Sequence, residues 1–223
     1  DYVSNQWFMF ASPILSNGGT DRGLPISCFL NYVNDSRDGL AEHYTENIWL
    51  SSMGGGIGGY WGHIRSQGQS WDLIDPNSKD KVKTVKARQL WIKILEARVA
   101  TGEPYIMFGD TVQKGLPKTQ KDLGLKVTHS NLCSEITLAT SEDRTAVCCL
   151  SSVNVEKFEE WKDNELFIDD LMRMLDNVLS YFIDKAPSHM WRAIASAKSE
   201  RSVGLGAMGF HTFLQSKGVP MES

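Results

Sequence analysis

The chain lacks the features that would assign it to a membrane, a secretory route or a metal. No apolar run reaches the length of a membrane-spanning helix, and the first residues resemble neither a signal peptide nor an initiator start. The four cysteines form no CxxC pair and the five histidines show no ligand spacing, so no metal site is expected. A net charge of -4 gives no basic surface for duplex DNA. We therefore expect a cytoplasmic protein that binds neither membrane nor DNA directly.

What the chain does contain is typical of a soluble globular protein. Its 223 residues are 41% hydrophobic and 22% charged, which is enough for a sizeable core. Apolar periodicity predicts both kinds of element, in a loose alternation that favours an α/β fold. The predicted helices cover residues 35–53, 81–101 and 166–186, the predicted strands cover residues 25–30, 130–138 and 145–154, and a turn with a short final helix covers residues 204–218.

The most informative stretch is residues 130–138, Ser-Asn-Leu-Cys-Ser-Glu-Ile-Thr-Leu. On an extended chain Asn131, Cys133 and Glu135 share one face, and apolar residues alternate with them on the other. One such residue alone is more often a buried cysteine or a polar loop residue. An amide, a thiol and a carboxyl together favour an active site, because groups with perturbed pKa values cluster there.

A glycine-rich segment, residues 54–59, follows the first long predicted helix. It has neither the spacing nor the strand-to-helix context of a dinucleotide-binding or phosphate-binding loop. A flexible turn is the simpler interpretation. The alternative is that its backbone approaches a ligand closely, because no Cβ intervenes.

The motif Asn131-Leu132-Cys133-Ser134-Glu135-Ile136 resembles the active-site motif of the large, catalytic subunit of ribonucleotide reductase. The resemblance implies that Cys133 carries a thiyl radical that removes the 3′ hydrogen of a ribose. It implies that Glu135 accepts the 3′-hydroxyl proton as general base and that Asn131 orients the sugar. Asn131 and Glu135 are thus expected to contact the substrate as well as to act in catalysis.

The other cysteines acquire roles only through this resemblance. Taken by themselves, Cys28 and Cys148 are two buried free thiols. The resemblance makes them the pair that supplies two electrons and ends as a disulfide when the 2′-hydroxyl leaves as water. Cys149 faces away from Cys148 on a strand, so packing is its expected role.

The similarity continues in order along the chain. The segments around Ser12, Ser27 and Gly56 are similar to those that contact the substrate in this family. The segments around residues 35–37 and residue 65 are similar to the effector site of this family, which binds a nucleoside triphosphate. The expected effector-binding residues are Asp35, Ser36, Arg37 and Arg65.

The resemblance also implies the fold, part of a ten-stranded α/β barrel, and it shows a gap. After residues 65–68 the family continues through a long segment that is absent here. We divide the chain into residues 1–68, with the effector helix and glycine-rich segment, residues 69–130, with a helix and a connection, and residues 131–223, with the active-site strands and following helices. They are expected to form one incomplete domain. We expect that the isolated chain neither closes the barrel nor turns over nucleotides.

The leading hypothesis is the catalytic subunit of a class I ribonucleoside-diphosphate reductase. It implies a ribonucleoside diphosphate substrate and a separate metal-containing small subunit that supplies the radical. It also implies thioredoxin or glutaredoxin as reductant, and a homodimer of the parent subunit. One alternative is a class II enzyme that uses adenosylcobalamin. Another is a non-catalytic nucleotide-binding fragment, or one subunit of a split reductase.

Overall fold

The computed structural model describes residues 1–61, 71–74, 81–85 and 87–222. These residues form a mixed α/β structure around one main sheet, which confirms the predicted fold class. The strands are β1 Phe8–Phe10, β2 Cys28–Tyr32, β3 Gly56–Tyr60, β4 Trp71–Ile74, β5 Lys81–Val85, β6 Ala146–Asn154 and β7 Val203–Met208. The helices are α1 Ser12–Asn17, α2 Arg37–Ser52, α3 Ala87–Thr101, α4 Gly109–Gly115, α5 Lys118–Asp122, α6 Phe158–Trp161, α7 Phe167–Lys185, α8 Trp191–Glu200 and α9 Phe210–Ser216.

The nine-residue strand β6 organises the main sheet. It pairs antiparallel with β1 and β2 and parallel with β7. Strand β3 continues the sheet as the parallel neighbour of β2, while β4 and β5 form a separate two-stranded sheet. Strand β6 therefore joins segments that are distant in sequence. The predicted division of the chain at residues 68 and 130 stays a prediction.

Helix α7 covers one face of the main sheet. Its buried residues recur every three or four positions. The last three pack into a core with β2, β6 and α8, and the first two pack with Phe8 of β1 and Val153 of β6. Burying a large apolar side chain contributes about 1.5–3 kcal/mol, so this stripe is a main source of stability. The buried residues of α7 are Phe167, Leu171, Leu175, Leu179 and Phe182.

Three predicted elements are close to the observed ones. Helix α2 begins after Ser36, whose hydroxyl accepts a hydrogen bond from the Gly39 amide and caps the helix, as expected. Strand β6 and helix α7 match the predictions for residues 145–154 and 166–186 within a residue or two. The predicted first strand is displaced, because it begins at Cys28 rather than at residue 25.

Other predictions are wrong for local reasons. The helix predicted over residues 81–101 begins at Ala87, because Lys81–Val85 forms strand β5. That segment alternates lysine with β-branched residues, a pattern that suits a strand. The glycine-rich segment is not a flexible turn, since Gly56–Tyr60 is strand β3. The turn expected from residue 204 includes strand β7, although the short final helix is present.

Candidate active site

The register of the sheet places Cys28 directly opposite Cys148. They are paired positions of the antiparallel strands β2 and β6, and both are free thiols with only 6% and 3% of their surface exposed. Opposite residues in such a pair have Cα atoms roughly 4.5–5.5 Å apart, within the range of about 4.4–6.8 Å that a disulfide spans. The two residues, here named the thiol pair, thus occupy positions that a disulfide can join.

Cys149 occupies the other face of β6. It is completely buried in the core cluster that contains Phe29, Val147 and residues of α7. The expectation that Cys149 packs while its neighbour faces elsewhere is confirmed by this arrangement.

Residues 130–136 form a compact turn, the active-site turn, in place of the predicted strand. Its first hydrogen bonds run from the Asn131 amide to the Ile136 carbonyl and from the Ser134 amide to the Asn131 carbonyl, both at 3.2 Å. The Asn131 side-chain oxygen accepts from the Ile136 amide at 3.0 Å, and Ser134 has a left-handed φ of 69°. The strand prediction is wrong because an asparagine side chain satisfies local backbone groups that a ladder would otherwise use.

The same asparagine ties the active-site turn to the thiol pair. The Asn131 side-chain nitrogen donates a hydrogen bond to the sulfur of Cys28 at 3.2 Å, and Asn131 is 4% exposed. One buried amide therefore contacts both the turn backbone and a thiol. The sequence predicts a catalytic and substrate-binding role for Asn131 but not this bond, since no local pattern reports a contact between positions so far apart.

Cys133 and Glu135 are exposed on the turn, close to the thiol pair. Burial is the main cause of the raised pKa of Cys28; the Asn131 hydrogen bond lowers it, and the charges of Glu135 and Cys133 raise it. Burial also raises the pKa of Cys148 to about 12, with smaller contributions from Cys28, Cys149 and Glu135. Both members of the pair are therefore protonated at neutral pH, and each can donate a hydrogen.

Glycines let the turn lie directly on β3. A Cβ on Gly58 would stand 2.4 Å from the Ser130 carbonyl oxygen, a distance that no side chain tolerates. A Cβ on Gly56, the β3 partner of Cys28, would meet the side chain of Leu132 at 3.6 Å. The close approach that the structure shows is made to the active-site turn, whereas the predicted approach of this segment to a ligand stays a prediction.

Two serines expected to contact substrate lie in different surroundings. Ser27 immediately precedes Cys28, and its hydroxyl oxygen is buried with no hydrogen-bond partner within the described part of the chain. Ser12 is the exposed first residue of α1. Ser27 therefore adjoins the thiol pair, whereas Ser12 belongs to a separate element.

The structure describes three of the four predicted effector residues. Asp35, Ser36 and Arg37 lie at the start of α2, where the Ser36 hydroxyl already caps the helix. Arg65 lies outside the described residues, so its placement relative to the other three stays a prediction.

Neither a metal site nor a membrane span is found in the described ranges. They contain no group of three or more histidine, cysteine, aspartate or glutamate residues arranged to hold an ion. None of the described helices combines the length and apolarity needed to cross a bilayer.

One cavity in the described part of the chain is lined by neither member of the thiol pair. It has a volume of about 530 Å³ and is formed between α1 and α7, with Ile14, Met174 and Tyr181 in its lining. None of the predicted site residues that the structure describes is in its lining. The convergent polar groups at the active-site turn, rather than cavity size, mark the candidate site.

Comparison with known proteins decides the family. The family model described as "Ribonucleotide reductase, barrel domain" matches residues 71–223. The chain belongs to the ribonucleotide reductase family. The fold assignment as part of the reductase barrel is confirmed by the same match and by structural similarity.

The proteins to which this chain is similar include viral large subunits and a solved structure. A "Putative ribonucleoside-diphosphate reductase large subunit" of Frog virus 3 (isolate Goorha) is 38% identical over 100% of this chain and 54% of that protein. The large subunit of Invertebrate iridescent virus 3 is 33% identical, covering 100% of this chain and 56% of that protein. The class Id ribonucleotide reductase alpha subunit of Actinobacillus ureae has a TM-score of 0.86 and 32% identity, over 100% of this chain and 54% of that one.

The chain spans about half the length of the curated relatives it matches. The alignment with the Frog virus 3 protein covers 304 positions, whereas this chain has 223 residues. At least 81 positions of that protein (304 minus 223) therefore have no counterpart here. This difference agrees with the internal shortening that the sequence indicates.

Proposed function

We propose that this chain provides the catalytic centre of a class I ribonucleoside-diphosphate reductase large subunit. The observation that supports the proposal most is the register that sets Cys28 opposite Cys148 beneath the turn with Cys133 and Glu135. A radical reduction needs a hydrogen-abstracting sulfur, a base and a two-electron donor. The chain carries one candidate for each role within one small region.

The proposed reaction begins at the active-site turn. A thiyl radical on Cys133 takes the 3′ hydrogen of the ribose, while Glu135 accepts the 3′-hydroxyl proton. The 2′-hydroxyl leaves as water with a proton from the thiol pair. Cys28 and Cys148 supply two electrons and become a disulfide, and Cys133 returns its hydrogen to C3′.

The thiol pair suits its role because both sulfurs hold hydrogens at neutral pH. The raised pKa values of Cys28 and Cys148 keep them as thiols until substrate chemistry draws on them. Asn131 would orient the sugar from a position that the Ile136 amide and the Cys28 sulfur fix. Ser12, Ser27 and Gly56 would complete the substrate contacts.

The partners follow from the same proposal. A separate small subunit with a metal centre would supply the radical, and thioredoxin or glutaredoxin would reduce the disulfide after turnover. A nucleoside triphosphate effector would bind near Asp35, Ser36, Arg37 and Arg65. A homodimer of the parent subunit and a cytoplasmic location complete this set of predictions.

The isolated chain is expected to be inactive. In the described part of the main sheet, β3 pairs only with β2 and β7 pairs only with β6, so the sheet does not close on itself. The active assembly would have to cover these edges. Purified chain that reduces ribonucleotides with only a radical generator and reductant would contradict this expectation.

The test uses a complete large subunit that carries this sequence, mixed with its small subunit, a ribonucleoside diphosphate and thioredoxin. Cys133→Ser should abolish deoxyribonucleotide formation, because an alcohol O–H bond is too strong to exchange hydrogen with the sugar. Cys149→Ala is the matched control and should retain turnover, since Cys149 lies in the core. Full activity of the Cys133→Ser variant would contradict the radical assignment.

Two further results would redirect the proposal. Activity that requires adenosylcobalamin instead of the small subunit would identify a class II enzyme. Nucleotide binding measured by calorimetry, without turnover in the complete assembly, would identify a non-catalytic binding module.

A further inference from the structure

His129 links the active-site turn to the sheet below it. Its Nε2 atom lies 3.1 Å from the Gly58 carbonyl oxygen on β3, and its Nδ1 atom lies 2.9 Å from the Thr128 hydroxyl. The Thr128 hydroxyl lies 3.0 Å from the hydroxyl of Thr140, which is 6% exposed. Three side chains thus form one continuous chain of hydrogen bonds that brackets the turn on both sides.

The direction of every bond in this chain is determined. The Gly58 carbonyl can only accept, so Nε2 of His129 carries the proton. Burial lowers the pKa of His129, the Gly58 carbonyl raising it by less, so the ring is neutral at pH 7 and Nδ1 accepts from the Thr128 hydroxyl. The oxygen of Thr128 then accepts from the Thr140 hydroxyl. Each hydroxyl proton is used once.

The contact point of His129 is the glycine on which the turn rests. Gly58 is the residue whose backbone lies against the Ser130 carbonyl, and the ring of Tyr60, two residues along the strand, stacks on His129 at 5.7 Å. Asn131 is the residue after Ser130, and its side-chain nitrogen donates a hydrogen bond to the Cys28 sulfur. A shift of the turn away from β3 would therefore break the contact that covers Cys28.

We infer that His129 is a positioning residue, which through its Nε2–H bond to Gly58 holds the active-site turn over the thiol pair. The consequence of this bond for nucleotide reduction rests on the proposed function, but the effect of the bond on the position of the turn does not. Loss of the bond should uncover Cys28 locally while the core beneath the sheet stays closed.

Cysteine alkylation of the full 223-residue chain tests this inference. The readout is the iodoacetamide labelling rate of Cys28 divided by that of Cys149, measured by peptide mass spectrometry in mildly alkaline buffer. Cys149 reports opening of the core, since it is completely buried there. A merely structural defect raises both rates together, whereas release of the turn raises the ratio.

His129→Ala should raise this ratio about fivefold, the factor that corresponds to the loss of one typical hydrogen bond of about 1 kcal/mol. His129→Gln should restore the ratio to within about twofold of the parent chain, because the glutamine amide N–H can reach the same carbonyl. His43→Ala is the control, since this buried histidine bonds to Asn47 and not to the turn.

Three results would overturn the inference: an unchanged ratio in His129→Ala, no rescue by His129→Gln, or the same rise in His43→Ala. None of them depends on nucleotide reduction. An active reductase with an unchanged ratio would reject the positioning role alone. A changed ratio in the chain, combined with a complete large subunit that reduces nothing when mixed with its small subunit, would reject the proposed function alone.

Discussion

Cys148 and Cys149 are neighbours on β6 with opposite surroundings. Both are buried, and burial raises the pKa of each to about 12. Cys148 faces Cys28 across the strand pair, beneath a turn that carries Cys133 and Glu135, whereas Cys149 is enclosed by the apolar core. Burial and acidity do not distinguish the two thiols. Their partners do, and strand alternation determines the partners.

The same division recurs on β3. A Cβ on Gly58 would collide with the backbone of the active-site turn, while a Cβ on the adjacent Gly59 would meet the ring of His43 on α2 at 3.1 Å. One face of the sheet therefore receives the turn and the other receives helices. If the comparison holds, perturbations of the two faces should have separable effects.

The largest effect should come from oxidation of the thiol pair. Diamide, which takes up two electrons and two protons, should convert Cys28 and Cys148 into a disulfide. The bond closes a loop of about 120 residues and should raise the free energy of unfolding by about 4–5 kcal/mol by chain entropy. Peptide mapping and urea unfolding would measure both changes.

Matched variants make this prediction specific. Cys149→Ala should still form the Cys28–Cys148 bond, and Cys148→Ala should not form a bond between Cys28 and Cys149. Crosslinking through Cys149 would mean that the two neighbours exchange faces in solution, and the comparison would fail.

A smaller effect is expected for Gly58→Ala. The new methyl group would stand 2.4 Å from the Ser130 carbonyl oxygen, so the turn must move from β3 at a cost of about 1–3 kcal/mol. Urea unfolding would measure the loss. Gly109→Ala is the control because a Cβ there meets no atom of the described residues within 4 Å, and it should change stability by about 0.5 kcal/mol at most. Equal losses in both variants would contradict the tight seat of the turn.

The two cysteines should also differ on replacement by serine. Cys149→Ser places a hydroxyl in the apolar core and should cost about 1–3 kcal/mol of unfolding free energy. Cys148→Ser should cost less, because that face contains the Cys28 thiol and the Asn131 amide as polar neighbours. Equal costs in urea unfolding would show that the two faces do not differ in polarity around these positions.

Periodicity predicted those elements whose residues encode their own burial. Helix α7 and strand β6 follow from apolar spacing because each has one face in the core. The active-site turn does not follow from its spacing. Its polar and apolar residues alternate as in a strand, but the Asn131 side-chain oxygen accepts a hydrogen bond from the Ile136 amide and closes a turn. Lys81–Val85 was assigned to a helix because a long helix, α3, follows it within two residues.

The site was predictable in its members but not in its contacts. The motif around Cys133 pointed to a family, and the family pointed to Cys28 and Cys148. No local pattern specifies that these two thiols are paired positions, because the register is set by packing of strands more than a hundred residues apart. The contact of His129 with Gly58 was missed for the same reason, although its place beside Ser130 and Asn131 was a signal.

The smallest effect should appear on acidification. Burial lowers the pKa of His129 on the turn side and of His43 on the helix side, and nearby Arg192 lowers that of His43 further. As pH falls through about 6.5, these histidines bind protons in the unfolded chain but not yet in the folded one. The free energy of unfolding therefore decreases until the pH reaches the lower pKa that each histidine has in the folded state. Glu200 has the opposite effect on stability. Burial raises its pKa, so the folded state binds its proton more readily than the unfolded state does, and acidification stabilises the fold at this residue.

Comparison between variants separates these contributions. His129→Gln and His43→Gln should each reduce the loss of unfolding free energy between pH about 7.5 and about 5.5, and the double variant should reduce it most. His211→Gln on α9 is the exposed control and should leave the loss unchanged. Because the two histidines lie on opposite faces of β3, their effects should add. A double variant that gains no more than either single one would show that acid opens both faces as one unit.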